Sequence, residues 1–422
     1  MYKYIAEVFS SNAHQHTPAM RLLPCYICLI LCCSPVLLLI AQPYQLSGIV
    51  VNGVDNTPLA GASVFINNAS TGTVTNKDGT FIITGITSEN VELVISYVSF
   101  ETMVVKITRE NINKRFRIQM VPRENELPEV IIVPVDKDGW KNWGKLFTDF
   151  FIGTSDNAKH CIIKNPEVLR FRYNKKIRML TVTSIDRIII KNDALGLSIE
   201  YQLEEFNYDA RLAKTTYLGY TSFSEMEGSK RKNRQWANKR LEAYNGSLMH
   251  FVRAVYNNQP EKEGFETRTL IRLSKHDSAT LPLYQRILQG DQTGFDTSRY
   301  FSQVFKNSTF SEPVVHITGK YLLPCDSIRF ADTVGNVFGL WFPNHLLINY
   351  KNELERPEYA AQNYPVVKQR QTQRSMLHLV NARAILLDQN GSYYEPLDMF
   401  TEGYMGWEKI AEMLPIDYIP GQ

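Results

Sequence analysis

Cysteine is scarce in this chain, and most of it is confined to one place. Of six cysteines in 422 residues, Cys25, Cys28, Cys32 and Cys33 fall within a single N-terminal apolar run. The Cys25-x-x-Cys28 spacing inside such a run is an accident of composition and not a redox or zinc motif. Only Cys161 and Cys325 remain beyond it, enough for one disulfide closing a long loop in an oxidising compartment or for two buried thiols, and spacing leaves both readings open.

Metal-ligand spacing is missing as well. A metallocarboxypeptidase needs His and Glu three residues apart plus a distant His, so that imidazole and carboxylate converge on zinc with a position left for water. His160, His250, His276, His316, His345 and His378 are followed three residues later by Ile163, Arg253, Ala279, Gly319, Ile348 and Asn381. No H-E-x-x-H, phosphate loop or G-x-S-x-G occurs. The sequence therefore indicates no catalytic residue, no metal ligand and no cofactor. Nor is there an excess of one charge: the net charge is +3, and residues 1–41 carry +1 of it through Lys3 and Arg21 against Glu7, leaving +2. That excludes a general nucleic-acid or anionic-membrane binder. With 44% hydrophobic and 21% charged residues, the chain is neither disordered nor a polytopic helical membrane protein.

What is present begins with an export signal. Met20-Arg21 precedes an uncharged run from Leu22 to Ile40, then Ala41-Gln42, which is the order of a secretory signal: basic start, apolar centre, small-residue end. Residues 1–41 read as an extension plus a signal peptide, with Met20 the better start. An uncleaved membrane anchor is the rival, since the run approaches the ~20 residues that span a bilayer; Pro24 and Pro35 interrupt it. A lipoprotein signal ranks below both, because no small residue precedes Cys32 or Cys33. Membrane contact is expected through this segment alone, and the chain is placed in the periplasm or at the outer-membrane surface.

From 42 to 120 the pattern is all-β. Thr57-Pro58-Leu59-Ala60-Gly61-Ala62-Ser63-Val64 and Thr75-Asn76-Lys77-Asp78-Gly79-Thr80-Phe81 set strand-like runs around residues with defined turn chemistry. Leu93, Ile95 and Tyr97 share one face of another strand, and Val104 to Ile107 and Phe116 to Ile118 bring the count to about seven, with turns every ~8–12 residues. This ordered set, with Gly48 before it and Ile95-Ser96-Tyr97 to Phe100 after it, resembles the carboxypeptidase regulatory-like domain common in exported Bacteroidetes proteins. The resemblance implies a transthyretin-like β-sandwich used as an accessory or adhesive unit, not a peptidase. Ser99 departs from the glycine expected before Phe100.

Residues 121–139 read as a linker. Leu127 to Pro134, an apolar strand between prolines, resembles the connector that joins this module to the plug of TonB-dependent receptors, but the remaining 288 residues are too few for both a plug and a barrel of ~22 strands. Residues 140–422 read as a larger mixed α+β, strand-rich domain. Trp140, Trp143, Leu146, Phe147, Phe150 and Phe151 recur at helical spacing. Val168 to Thr183 forms a hairpin, Leu197 to Tyr208 a strand with Ile199, Tyr201 and Leu203 opposite Glu200, Gln202 and Glu204, and Thr215 to Phe223 another strand. Lys230 to Tyr256 is helical, divided at Asn245-Gly246-Ser247 with Ser247 as N-cap. Its basic start, Lys230, Arg231, Lys232, Arg234, Lys239 and Arg240, reads as a solvated face partnered by Glu225 and Glu227. Thr267 to Leu273 and Val314 to Thr318 are strands, Val337 to Ile348 a strand pair around Pro343-Asn344, Asn390-Gly391 a hairpin turn, and Met405 to Leu414 a short helix stopped by Pro415. Trp143 to Asp209 with Trp236 to Asn257 resembles the C-terminal part of Bacteroidetes proteins that carry the same module.

The function these features indicate is a cell-envelope accessory, binding or structural protein whose partner is an envelope protein or a glycan. A hydrolase with an unrecognised site is the first alternative. A component of an outer-membrane, TonB-receptor-related system, or a small barrel, is the second.

Overall fold

The computed structural model of the chain describes residues 43–123, 133–212, 214–273, 281–289, 300–305, 314–332, 337–364 and 369–421. Met1–Gln42 is one unit and Pro43–Gln422 the other, so every described residue belongs to the second. The signal segment, Leu127 to Ile132 of the connector strand and His276 lie outside the described residues.

The N-terminal module is a sandwich of seven strands: β1 (Tyr44–Asn52), β2 (Ser63–Ile66), β3 (Gly72–Val74), β4 (Thr80–Ile86), β5 (Val91–Ser96), β6 (Met103–Ile107) and β7 (Arg115–Met120). One sheet has the order β4-β1-β7, with β7 parallel to β1, and the other β3-β2-β5-β6. Alternation sends Leu46, Val50, Phe81, Ile83, Leu93, Ile95 and Ile118 into one core and leaves Ile82 outside. The Asp78-Gly79 turn is built as its residues require. Asn76 Oδ1 accepts from the amides of Asp78 and Thr80, and Gly79 sits at φ +70° with Val50 O so close that a Cβ would meet it at 2.5 Å. Ser99 adopts φ +67°, the left-handed backbone that a glycine would fill without strain.

A second sheet follows: β8 (Cys161–Ile163), β9 (Leu169–Asn174), β10 (Met179–Ser184), β11 (Ile188–Asn192), β12 (Leu197–Asp209) and β13 (Lys214–Glu225), in the order β8-β11-β12-β10-β9 with β13 on β12. Helix α1 (Gly139–Phe151) lays Phe147 and Phe151 on it, their rings 5.0 Å from Phe206 and Tyr201 respectively. Trp140 is the exception in the aromatic stripe: it is 40% exposed, folded back over Gly144 of its own helix.

The third sheet joins β14 (Phe265–Leu273), β15 (Tyr300–Phe305), β16 (Val314–Gly319), β19 (His345–Leu354), β20 (Thr372–Leu379) and β22 (Met399–Gly403), in the order β15-β16-β14-β19-β20-β22. A small sheet, β17 (Arg329–Asp332), β18 (Val337–Leu340) and β21 (Ile385–Leu387), stands beside it. The strands around Pro343-Asn344 are thus present but not paired with each other: β18 bonds β17 and β21, whereas β19 bonds β14 and β20. The tail also differs from a continuous helix. Tyr404–Trp407 is one turn, Glu408 and Lys409 are extended, and Ile410–Glu412 is a second short turn whose Ala411 amide bonds Ile152 O. Tyr404, Met405, Ile410, Ala411 and Leu414 are all buried, so tertiary packing on several sides displaces the one-sided burial an amphipathic helix needs.

The sandwich is docked on the second sheet. Asn68 N donates to Thr221 O at 2.7 Å, Phe223 N donates to Ala69 O at 3.0 Å, and Ala69 bridges Ser222 in parallel. Ser96 Oγ donates to Gln202 Oε1, and Ser88 Oγ to the Asp388 carboxylate. Gln202, on the face of β12 expected to be wet, is therefore buried.

Candidate functional site

The site begins where the long helical interval breaks. Helix α2 (Lys230–Tyr244) ends at Asn245, and Ser247 caps α3 (Leu248–Tyr256) by accepting from the His250 amide. Between them Gly246 takes φ +76° against Gln373 and Tyr350, where a side chain has no room. The Gly246 amide donates to His250 Nδ1 at 3.1 Å, which puts the imidazole proton on Nε2, 3.4 Å from Glu263 Oε2. The ring stacks on Tyr244 at 4.6 Å and meets the edges of Phe265 and Tyr350. Burial, against the opposing pull of Glu263, holds its pKa below the ordinary histidine value. His250 is therefore a neutral imidazole with both nitrogens engaged.

This stack is one wall of a cavity of about 690 Å³. Tyr244 and Arg253 come from the two helices, Asn245 from the break between them, Asn257, Gln259, Lys262 and Glu263 from the loop after α3, Tyr350 and Asn352 from β19, and Pro420 from the tail. Arg253 closes one side. Its Nε donates to Asn390 O, its Nη1 to Tyr418 O and its Nη2 to Ile416 O, at 2.9, 3.0 and 2.9 Å, while its guanidinium lies over the Tyr244 ring. The tail it grips is also held by the sandwich: Ile416 N donates to Asn68 O at 2.7 Å, and the Asp417 carboxylate accepts from the amide and hydroxyl of Ser70. A strap of five residues, 416–420, thus runs from the sandwich to the cavity wall.

The described lining residues with acid–base or nucleophilic side chains are His250, Lys262, Glu263 and the tyrosines Tyr244 and Tyr350. Ser247 is spent on the helix cap, His250 has no free lone pair, and Glu263 is the only carboxylate among the described lining residues. A nucleophile–base pair or two opposed carboxyls would be needed for hydrolysis.

The other residues singled out in the sequence fall elsewhere. Cys161 and Cys325 are free thiols in this structure, Cys161 packed against the core of the second sheet and Cys325 within that of the third. Burial pushes both thiols up to about 12. His345 and His378 are cross-strand neighbours with rings stacked at 4.6 Å, and His316 stands opposite Arg272 on the same sheet. Among the described residues no group of three or more His, Cys, Asp or Glu side chains is placed to hold a metal. In the basic start of α2, Arg240 pairs with Glu225 at 2.7 Å and Lys232 covers the Trp236 ring, while Lys230, Arg231 and Arg234 are exposed. Glu263, Tyr350 and Asn352 carried no sequence signal, since they join Asn245 only through the pairing of β14 with β19.

Residues 46–132 match the CarboxypepD_reg-like domain family, so the sandwich is a CarboxypepD_reg-like domain, a module of non-catalytic, binding or structural character. The chain as a whole is this domain followed by a larger strand-rich region. No curated protein matches the chain. Among solved structures it is similar to a 9R-lipoxygenase from Cyanothece PCC8801, at 10% identity and TM-score 0.17, over 52% of this chain and half of that one. It is also similar to a protein of unknown function from Bacteroides fragilis NCTC 9343, described as membrane-associated, at 8% identity and TM-score 0.16, over 86% of this chain and 96% of that one. With TM-scores this low, neither likeness informs fold or function. Among the described residues no helix is long and apolar enough to cross a membrane.

Proposed function

We propose that this chain is an exported accessory protein of the cell envelope that binds and does not react, acting in the periplasm or at the outer-membrane surface. In this reading the sandwich is a buttress, and recognition of an envelope component falls to the polar cavity beside His250. The observation that carries it is the strap: the tail that lines the cavity at Pro420 is bonded on one side to Arg253 and on the other to Asn68 and Ser70 of the sandwich. A non-catalytic module that fixes a pocket wall has a reason to be docked, which a free spacer on a flexible linker lacks.

The test is native mass spectrometry of the full-length protein taken from its own envelope, compared with Asn257→Trp, which fills the rim from an exposed position. A retained small molecule that disappears in the variant is the expected result. Turnover in a broad hydrolase screen that disappears in the same variant would replace the binding reading with an enzymatic one.

A further inference from the structure

Resting on the cavity as the binding site, we infer that its ligand is a neutral carbohydrate, the end of an oligosaccharide. Three classes of ligand meet a partial complement in this wall, and one meets a fuller one.

An anionic ligand would need a desolvated cation with free donors. Arg253 already directs three of its five N–H donors, one from each nitrogen, at the carbonyls of Asn390, Ile416 and Tyr418, so its charge is turned mainly to the tail. Lys262 is exposed, so its charge is solvated rather than desolvated, and its amine is turned to Gln259 Oε1 at 3.4 Å. A cationic ligand would find a single carboxylate among the described lining residues, Glu263, whose Oε2 already faces the His250 N–H and which shares the wall with Arg253 and Lys262. An apolar or aromatic ligand would need a bare ring face. Tyr244 is covered by His250 and Arg253, and Tyr350 by Phe265 and His250, and both tyrosines are buried.

What the wall does offer is amides. Asn257 and Asn352 are exposed at the opening, Asn352 turns its NH₂ to Glu263 O and also bonds the Tyr350 side chain, and Asn245 gives its NH₂ to the Glu353 carboxylate. Each side-chain amide carries an acceptor oxygen beside a two-proton donor. A vicinal pair of sugar hydroxyls, each both donor and acceptor, meets that pattern on both atoms. The volume of about 690 Å³ lies within the ~300–1,000 Å³ of small-molecule sites, which suits a di- or trisaccharide. A peptide would instead look for a sheet edge or an apolar side-chain pocket, and this wall supplies neither.

Saturation-transfer NMR on the full-length protein tests the inference. The probes are maltotriose, mannotriose and N,N′-diacetylchitobiose, with digalacturonate, tetra-alanine and dihexanoyl phosphatidylcholine as the other classes. Asn257→Leu and Asn352→Leu remove amides at exposed positions, and a shared urea midpoint with the parent shows that they fold. At least one neutral saccharide should bind, weakened about tenfold by each variant, as expected for the loss of one hydrogen bond of ~1.4 kcal/mol. If digalacturonate, the peptide or the lipid binds in a variant-sensitive way and no neutral saccharide does, the carbohydrate class is wrong and the cavity remains the site. If nothing in the panel binds in a way either variant alters, the inference and the cavity reading fall together.

Discussion

Replacing Arg253 with methionine keeps the apolar stem and removes the donors, which isolates what the guanidinium does for the strap. In the native chain it serves three backbone carbonyls, those of Asn390, Ile416 and Tyr418, at 2.9 to 3.0 Å. Hydrogen bonds from a charged donor contribute ~1.5–3 kcal/mol each. They are not additive here, because Arg253 is half-buried and water can reach part of what it leaves behind. A total loss of ~3–5 kcal/mol is expected. The loss should be local before it is global, since the strap's remaining ties are the Ile416 N to Asn68 O bond and the Asp417 contacts with Ser70. Amide hydrogen exchange reads this directly. Protection of Ile416 should fall by about two orders of magnitude or more, at 1.36 kcal/mol per decade, while amides of β1 and β5 in the sandwich core keep theirs. Unchanged protection at Ile416 would show that the sandwich holds the strap without Arg253, and the mechanical link between sandwich and cavity would be refuted.

Other outcomes follow from the same structure. Phe81→Ala should destabilise by ~3–5 kcal/mol in urea denaturation, because the ring is 3% exposed and lies directly over the bare backbone of Gly48; a loss below about 1 kcal/mol would contradict its core position. Ser99→Gly should stabilise by up to ~1 kcal/mol, since glycine adopts φ +67° without the Cβ penalty, and a lower midpoint would mean that the hydroxyl is needed. Cys161 and Cys325, both pushed up to about 12 by burial, should resist iodoacetamide at pH 8 in the native chain and both react after unfolding; an unreactive pair in unreduced denaturant would reveal a disulfide. Burial, aided by the neighbouring His378, lowers His345 to about 4, below the ~6.5 of an unfolded histidine. Between those values the unfolded chain binds more protons, so stability should be lost as pH falls from ~6.5 to 4. His345→Gln should reduce that slope without abolishing it, because burial also lowers His316 to about 4, and an unchanged slope would place the titration elsewhere.

The sandwich was legible because its turns are written locally. Asn76 to Gly79 and Pro58 to Gly61 specify backbone conformations that few other residues tolerate, and the alternation between them then assigns faces. Even the departure at Ser99 was informative, since the expected glycine marks a residue that does adopt positive φ. The same holds for the divided helix: a glycine at φ +76° followed by a capping serine ends one helix and starts the next within three residues. Alternation along β12 correctly opposed Ile199 to Glu200 and Leu203 to Glu204. It could not say that Gln202 is covered, because period two distinguishes two faces and not which of them meets water. Ser96 of the sandwich supplied that answer from 106 residues away.

The cavity lay beyond reach for a related reason. Its wall takes Asn245 and Glu263 from near one another, but Asn352 from a strand whose pairing is set by β14 across an interval of about 80 residues, and Pro420 from the tail. Pairing of that kind depends on which apolar faces find each other, as β18 and β19 show by joining different sheets although two Pro-Asn-linked runs invite a hairpin. The residues that close the site are also those whose local chemistry is plainest: asparagine and glutamine carry no periodicity, no shifted charge and no motif. A catalytic site announces itself because nucleophile, base and metal ligands are chemically rare, whereas a wall of amides has the composition of any loop. Such a site becomes visible only when the fold has placed those amides around a shared volume, and here the tail that lines that volume at Pro420 is held at its far end by the one module the sequence did identify.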